Sequence, residues 1–328
     1  MRQFFVLALL LLLSLPASAD MELGALRVAT SSGTFLRIGI SPRAEAMGGA
    51  WVAVAEDANA AWYNPAGLGL LANREVSVAS VVWPAGIRYN TFSWGVPQAL
   101  FGGTLSLQVG SLSAVMQETD EYHPYGTGRE FLYSDFLAGL SFARFLTDQL
   151  IVGLGAKYFR EDLGSEVGGP VANAWVVDVG TLYHIDYRNM RIGMAIQNFG
   201  PEIRPQGEFW NHSDQKWQEY DGYPPPSLFK LGIAYEPWKS WPWILTQTFD
   251  MNHLADNRES LSSGLELDYH GGLLALRAGY NFMADEFGLS AGFGSTFALG
   301  STIAGLDYSF TDAKSLGAIH RWSLRLDF

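Results

Sequence analysis

The chain has 328 residues, of which 36 are glycine, 14% are aromatic and only 16% are charged. Soluble proteins usually carry about one quarter charged residues, so this composition disfavours an ordinary soluble domain. The absence of cysteine excludes disulfides, thiolate nucleophiles and Cys-ligated metals. A net charge of −12 at pH 7 disfavours a nucleic-acid partner, since such partners bind basic surfaces.

Residues 1–19 have the three parts of a secretory signal peptide. Arg2 supplies the positive start, Phe4–Leu15 is an apolar run too short to cross a bilayer, and Ala17-Ser18-Ala19 is a cleavage pattern. An uncleaved anchor helix is the alternative, which the short run disfavours. We therefore predict an exported chain that starts at Asp20.

Residues 20–74 are rich in small apolar residues and show no strand period. We predict a helix from Pro42 to Met47 that Gly48-Gly49 ends, and a short buried strand over Ala50–Ala55. We also predict a helix over Ala58–Tyr63, which Asp57 caps and Asn64-Pro65 ends. Such an apolar segment has to be buried against whatever follows it.

From residue 75 the dominant period is two. In "GTLSLQVGS", for example, Leu105, Leu107 and Val109 alternate with small or polar residues. We predict fourteen strands: Glu75–Trp83, Tyr89–Pro97, Gly103–Val115, Phe131–Arg144, Leu150–Glu161, Val171–His184, Met190–Asn198, Ser227–Pro237, Trp243–Asn252, Ser260–His270, Leu273–Phe282, Phe287–Phe297, Gly300–Phe310 and Ala318–Phe328. Each could cross a bilayer when tilted.

These features together predict an all-β fold, a 14-stranded antiparallel transmembrane β-barrel (75–328) with an N-terminal plug, or hatch (20–74), in its lumen. Aromatic residues near the predicted strand ends would form the interfacial girdles: Tyr89, Trp94, Tyr158, Trp175, Tyr183, Tyr187, Tyr235, Trp238 and Trp243. The predicted lumenal charges are Lys157, Asp178, Glu266, Asp268, Arg277, Asp307 and Arg325. They either pair to stiffen the wall or tune a permeation path.

Two further stretches fit an outer-membrane barrel of a Gram-negative-type bacterium. The longest connection, Phe199–Pro226, is expected to be an extracellular cap. The last strand alternates to the end of the chain, with Trp322, Leu324, Leu326 and Phe328 on one face. We expect this strand to close the barrel against the first one and to be the signal that the barrel-assembly machinery recognises.

The stretch "SPRAEAMGGAWVAVAEDANAAWYNPAGL" resembles the N-terminal signature of the PorV/PorQ family, within the wider FadL-type group of outer-membrane barrels. Asn64, Pro65 and Ala66 match the Asn-Pro-Ala motif of that group's plug. The "NFG" at Asn198–Gly200 and the "RAGYN" at Arg277–Asn281 continue the resemblance. It implies a plugged fourteen-stranded barrel, passive uptake of hydrophobic molecules in FadL-type members and a role in type IX secretion in PorV-type members.

Two functions follow as hypotheses. The first is passive transport or binding of small hydrophobic compounds, with a plug or gate motif of Met47, Gly48, Gly49, Asn64, Pro65, Ala66 and Gly67. It predicts a side opening in the wall near Gly153 and Gly155. The alternative is a component or shuttle of a type IX secretion system, with partners at the outer rim.

Motifs for chemistry are absent from the sequence. The six histidines form no H-E-x-x-H arrangement, and no G-x-S-x-G elbow occurs. We therefore predict no catalytic residue, no metal and no cofactor, and outer-membrane lipid as the constant partner. A lipase site assembled at the rim from distant Ser and His residues stays open, because it would leave no local motif.

Overall fold

The computed structural model describes residues 28–211, 213–283 and 287–328. The predicted signal peptide and the predicted mature start at Asp20 lie outside these ranges. Across the described ranges, no helix is long and apolar enough to span a membrane.

Fourteen strands form one closed antiparallel barrel, which confirms the predicted fold class. The predicted strand ends differ from the observed ones by no more than three residues. The barrel strands are β1 Glu75–Val82, β2 Arg88–Leu100, β3 Gly103–Gln117, β4 Glu130–Phe145, β5 Leu150–Asp162, β6 Val171–Ile185, β7 Met190–Phe199, β10 Leu228–Ser240, β11 Trp243–Leu254, β12 Ser260–Tyr269, β13 Leu274–Phe282, β14 Leu289–Leu299, β15 Thr302–Asp312 and β16 Ala318–Asp327. Within the longest connection, β8 Glu208–Asn211 and β9 Lys216–Glu219 form a separate hairpin.

The barrel closes where β1 meets β16. Glu75 lies opposite Asp327 at one end of this pair, and Val82 lies opposite His320 at the other. On its other side β1 pairs with β2. Every wall strand therefore has two neighbours, so its backbone polar groups are satisfied without water. The end with Glu75 and Asp327 is called the inner end, and the end with the long β3–β4 and β7–β10 connections is called the outer end.

Side chains alternate between the lumen and the exterior along each strand. On β5, Ile151 and Phe159 are fully buried, whereas Leu154 is 60% exposed. Leu140 and Leu276 are likewise more than half exposed on their strands. An exposed apolar band of this extent is stable only in lipid, which makes the chain an outer-membrane type of barrel.

The aromatic residues near the strand ends lie on the exterior, with one exception. Trp175, Trp238 and Tyr187 are more than half exposed. Tyr89 was predicted among them, and this prediction is wrong: its side chain is buried in the lumen, with its ring edge against Phe35. Because successive side chains along β2 point to opposite faces, Tyr89 points into the lumen, as Thr91 does.

Residues 33–71, called the lumenal segment, pack against inward-facing residues of the wall. Its elements are short: 3-10 helices at Thr34–Arg37, Ala58–Trp62 and Pro65–Leu70, and the helix α1 at Pro42–Ala46. Pro42 opens α1, and the Ser41 side chain accepts a hydrogen bond from the Ala44 N–H.

Two local predictions in this segment are wrong. Ala50–Ala55 is buried but forms turns rather than a strand, because every wall strand already has two partners and offers no edge. Asp57 stands before the Ala58–Trp62 helix, but its side chain makes no capping hydrogen bond. Close packing in a narrow lumen has outweighed the local preferences here.

The lumenal segment runs from the outer end to the inner end. At the outer end, the Ser32 N–H donates to the carbonyl of Pro224 in the β7–β10 connection, and Phe35 packs edge-on against Phe159. At the inner end, the Ala58 N–H donates to the Glu75 carboxylate over 2.7 Å. The segment therefore crosses the whole lumen before β1 begins.

Candidate functional site

In the part of the chain that the structure describes, two cavities lie in the barrel, one on each side of the lumenal segment. The outer cavity has a volume of about 700 Å³, and the inner cavity has a volume of about 630 Å³. Met47, Trp51 and Ala53, all fully buried, belong to the layer between them. A solute that crossed the barrel would have to pass this layer.

The walls of the two cavities differ in character. The outer cavity has a large apolar surface formed by Phe35, Ile38, Trp83, Ile87, Leu112 and Phe287. The inner cavity is lined mainly by charged and polar side chains, among them Arg43, Glu56, Arg191, Glu266, Arg277 and Asp307. The outer cavity is also lined by charged side chains: Arg37, Glu45, Asp135, Lys230, Arg258 and Arg321. An apolar molecule would therefore bind against the apolar part of the outer cavity more favourably than in the inner cavity.

Three cross-strand pairs of glycines form slots for the lumenal segment. Gly264 and Gly279 lie opposite each other under Met47, and Gly193 and Gly232 lie opposite each other under Val52. The third pair, Gly153 and Gly180, lies under Asn64–Ala66. A Cβ atom built on any of these glycines would overlap the segment. The slots explain why the inward face carries glycine at these registers.

Asn64 holds the segment in the third slot with three side-chain hydrogen bonds. Its Nδ2 donates to the carbonyls of Val52 (2.8 Å) and Thr181 (3.1 Å), and its Oδ1 accepts from the Ala66 N–H (3.1 Å). The side chain is fully buried. Thr181 belongs to the wall and Val52 to the segment, so one side chain ties together the wall and two parts of the segment.

The other predicted motif residues also belong to the lumenal segment. Gly48 and Gly49 follow α1 with φ values of 68° and 75°, a conformation that favours glycine. Gly67 approaches the Ala55 carbonyl so closely that a side chain could not be added. Of the predicted motif residues, Gly48 and Gly49 line the outer cavity, whereas Met47 and Asn64–Gly67 line neither cavity and pack against the wall. A role of these residues in gating stays a prediction.

A chain of ion pairs crosses the inner cavity and includes the segment. Arg191 pairs with Glu56 (2.9 Å), Glu56 with Arg43 (2.9 Å) and Arg43 with Glu266 (2.8 Å). Beyond Glu266, Arg277 pairs with Glu266 (2.5 Å) and with Asp307 (2.6 Å). Glu56 and Arg43 belong to the segment and the others to β7, β12, β13 and β15, so the segment is bridged to the wall on both sides.

Burial and charge act in opposite directions on the segment's acids. Burial disfavours ionisation of Glu56, but the guanidiniums of Arg43 and Arg191 outweigh it and hold the pKa of Glu56 below its usual range. For Asp57, burial prevails over the attraction of Arg43 and raises the pKa. Since the pKa of Glu56 is lowered on folding, its stabilising contribution is present at neutral pH and is lost as the pH falls through that lowered value.

The ion-pair chain gives a first testable prediction. Replacing Arg43 by methionine leaves the buried Glu266 with one basic partner, and the barrel should lose about 3 kcal/mol of unfolding free energy. Urea denaturation at neutral pH measures this loss. Arg204→Met is the matched control, because the Arg204–Glu219 pair is solvent-exposed and should contribute at most about 1 kcal/mol. Equal stability of the two variants would contradict a structural role for the chain.

The predicted side opening at Gly153 and Gly155 is wrong for this structure. β5 pairs with β4 and β6 along its whole length without a register shift. An irregularity lies instead between β6 and β7, where Asn198 has a φ of 57° and its N–H donates to Asp178.

Next to this irregularity, Lys157 pairs with Asp178 (2.7 Å) and donates to the Asn198 side chain (2.6 Å). The predicted pairing of these lumenal charges is therefore observed.

The residues of the predicted assembly signal lie on the lipid-facing exterior of the barrel, not in the lumen. Trp322 and Leu324 are exposed on the outer face of β16, and the Phe328 N–H donates to the Arg74 carbonyl. Their recognition by assembly machinery stays a prediction. Over the ranges that the structure describes, no group of three or more His, Asp and Glu side chains is arranged to hold a metal ion.

Comparison with solved structures finds outer-membrane barrels of the same fold. The toluene transporter TbuX of Ralstonia pickettii matches with a TM-score of 0.56 and 14% identity, over 88% of this chain and 97% of that chain. The P. putida toluene transporter TodX matches with a TM-score of 0.58 and 12% identity, over 88% of this chain and 96% of the other. The chain has the fold of these outer-membrane barrels.

A FadL homologue of Pseudomonas aeruginosa has the same fold, with a TM-score of 0.55 and 13% identity over 89% of this chain and 98% of that chain. The resemblance to the FadL-type group therefore holds at the level of the fold. No family model and no curated protein matches the sequence. The resemblance to the PorV/PorQ family accordingly stays a prediction.

Proposed function

We propose that this barrel passes small hydrophobic compounds across the outer membrane without an energy source. The observation that carries the proposal is the outer cavity, which has a large apolar surface within its mixed lining and borders the lumenal segment. Neighbours of the same fold include proteins described as toluene transporters, which supports this class of solute. The solute would partition into the outer cavity and cross when the segment shifts.

The contacts of the segment suit a movable barrier. The segment is built of short helices and turns rather than of wall strands, and side-chain hydrogen bonds and ion pairs hold it. Such contacts can break and re-form without opening the barrel wall. No catalytic group takes part in passage, because the solute leaves unchanged.

Ligand binding to the outer cavity is the first test. The purified barrel should bind the fluorescent probe N-phenylnaphthylamine saturably, and toluene should displace it. Replacing Leu112, which is 3% exposed on the cavity wall, by asparagine should weaken binding about tenfold, or about 1.4 kcal/mol. Leu132→Asn on β4 is the control, because Leu132 is 45% exposed and does not line the cavity.

Passage is tested separately from binding. Cells that produce the barrel should take up radiolabelled toluene faster than cells with an empty vector, and Leu112→Asn should reduce the difference. Saturable binding without faster uptake would contradict transport and leave a binding protein. If the barrel showed no saturable binding and the cells showed no faster uptake, the whole proposal would be contradicted.

A further inference from the structure

Two buried carboxylates face each other in the outer half of the lumen. Asp135 on β4 lies directly opposite Glu161 on β5, and the two side chains are 2% and 7% exposed. The Tyr133 hydroxyl lies 3.1 Å from Asp135 Oδ2 and 3.0 Å from Glu161 Oε1. A phenol has one proton, so it can donate to only one of the two carboxylates at a time.

Within the described part of the chain, neither carboxylate forms an ion pair with a basic side chain, and their charged neighbours are each other. By contrast, the buried Asp178 two strands away from Asp135 is paired with Lys157. Asp135 Oδ1 is buried without a hydrogen-bond partner, and Asp135 lines the outer cavity. Two such carboxylates cannot both be ionised unless a cation compensates them.

We propose that Asp135 and Glu161 form a cation site for a hard divalent ion such as Ca²⁺. The oxygens gathered there belong to two carboxylates, the Tyr133 phenol and the Ser32 hydroxyl, which donates to Glu161. All-oxygen donor sets of this kind select hard cations, and water completes the coordination. With two protein carboxylates the affinity is expected to be modest, with a Kd of about 0.1–1 mM.

The site would also fix the start of the lumenal segment. Ser32 and the Gly33 N–H both donate to Glu161, so a cation that holds Glu161 also orders the point where the chain enters the barrel. This inference is independent of the proposed passage of apolar compounds, because it concerns an ion and not a solute.

The test is a calcium titration of the purified full-length barrel in detergent. Calcium should raise the unfolding temperature saturably, and Tb³⁺ should bind with luminescence sensitised by Tyr133 and be displaced by calcium. Asp135→Asn and Glu161→Gln should each weaken binding about tenfold or more. Both substitutions keep the side-chain volume and remove like-charge repulsion, so the variants should fold, as a heat-modifiability gel verifies.

Asp120→Asn is the matched control, because Asp120 is an exposed carboxylate in the β3–β4 connection beside His123. It should bind calcium as the wild type does. A wild-type barrel whose stability responds to pH but not to calcium would overturn the proposal, since the pair would then share a proton. Equal calcium responses of Asp135→Asn and the wild type would overturn it as well.

Discussion

Replacing Gly153 by alanine is expected to displace the lumenal segment and to open an ion-conducting path. A Cβ atom on Gly153 would overlap the backbone of Pro65 and Ala66, so the segment has to move from the third slot. Overpacking of this kind costs about 1–3 kcal/mol, which shifts the equilibrium between seated and displaced segment roughly fivefold to 150-fold. Conductance of the refolded barrel in planar bilayers measures the change.

Gly305→Ala is the matched control for this prediction. Gly305 also lies on the lumenal face of a wall strand, but the nearest atom to an added Cβ is Arg325 Nε at 3.4 Å. Its conductance should equal that of the wild type. If Gly153→Ala also conducts like the wild type while retaining a folded barrel, the slot does not hold the segment in place.

Replacing Asn64 by alanine is expected to loosen the lumenal segment. The change leaves the carbonyls of Val52 and Thr181 and the N–H of Ala66 without their buried partner. Each buried group left unsatisfied costs about 1–3 kcal/mol, so the segment should loosen while the wall remains closed. Limited proteolysis should then cut within residues 33–71, and uptake of toluene should increase.

Asn73→Ala is the control for this experiment, because Asn73 is exposed between the segment and β1. It should resist protease as the wild type does. Asn64→Asp separates hydrogen bonding from volume: it keeps the acceptor for Ala66 but loses both donors, and it should behave like alanine. A protease-resistant Asn64→Asp variant would show that shape alone seats this residue.

The wall could be predicted from the sequence because its signal is local and repeated. Apolar and polar residues alternate through strands such as β12, where Leu261, Leu265 and Leu267 point out while Ser262 and Glu266 point in. The period of two fixes which face is exposed, and turns between the strands fix their number. Tyr89 is the exception: an aromatic residue near a strand end suits an interfacial girdle, but the period of two along β2 places this side chain in the lumen.

The arrangement of the site could be predicted only in part. The Asn-Pro-Ala stretch marked the segment, but the slots depend on which glycines face each other, as Gly153 and Gly180 do. The same limit applies to Asp135 and Glu161, which are 26 positions apart and meet only through the β4–β5 register. Strand register is set by the whole barrel, so a single strand does not reveal it. The feature of the sequence that indicates the slots is glycine at lumen-facing positions of neighbouring strands.

The most direct test of the central claim is to lock the lumenal segment to the wall. The chain has no cysteine, so Asn59→Cys with Ser77→Cys adds a unique pair at a point where the side chains of the segment and of β1 are hydrogen-bonded to each other (3.0 Å). Mass spectrometry verifies that oxidation joins the two thiols. Toluene uptake is measured in the oxidised and reduced states. Oxidation should block uptake, and reduction should restore it. Equal uptake in both states would contradict a movable segment as the barrier to passage.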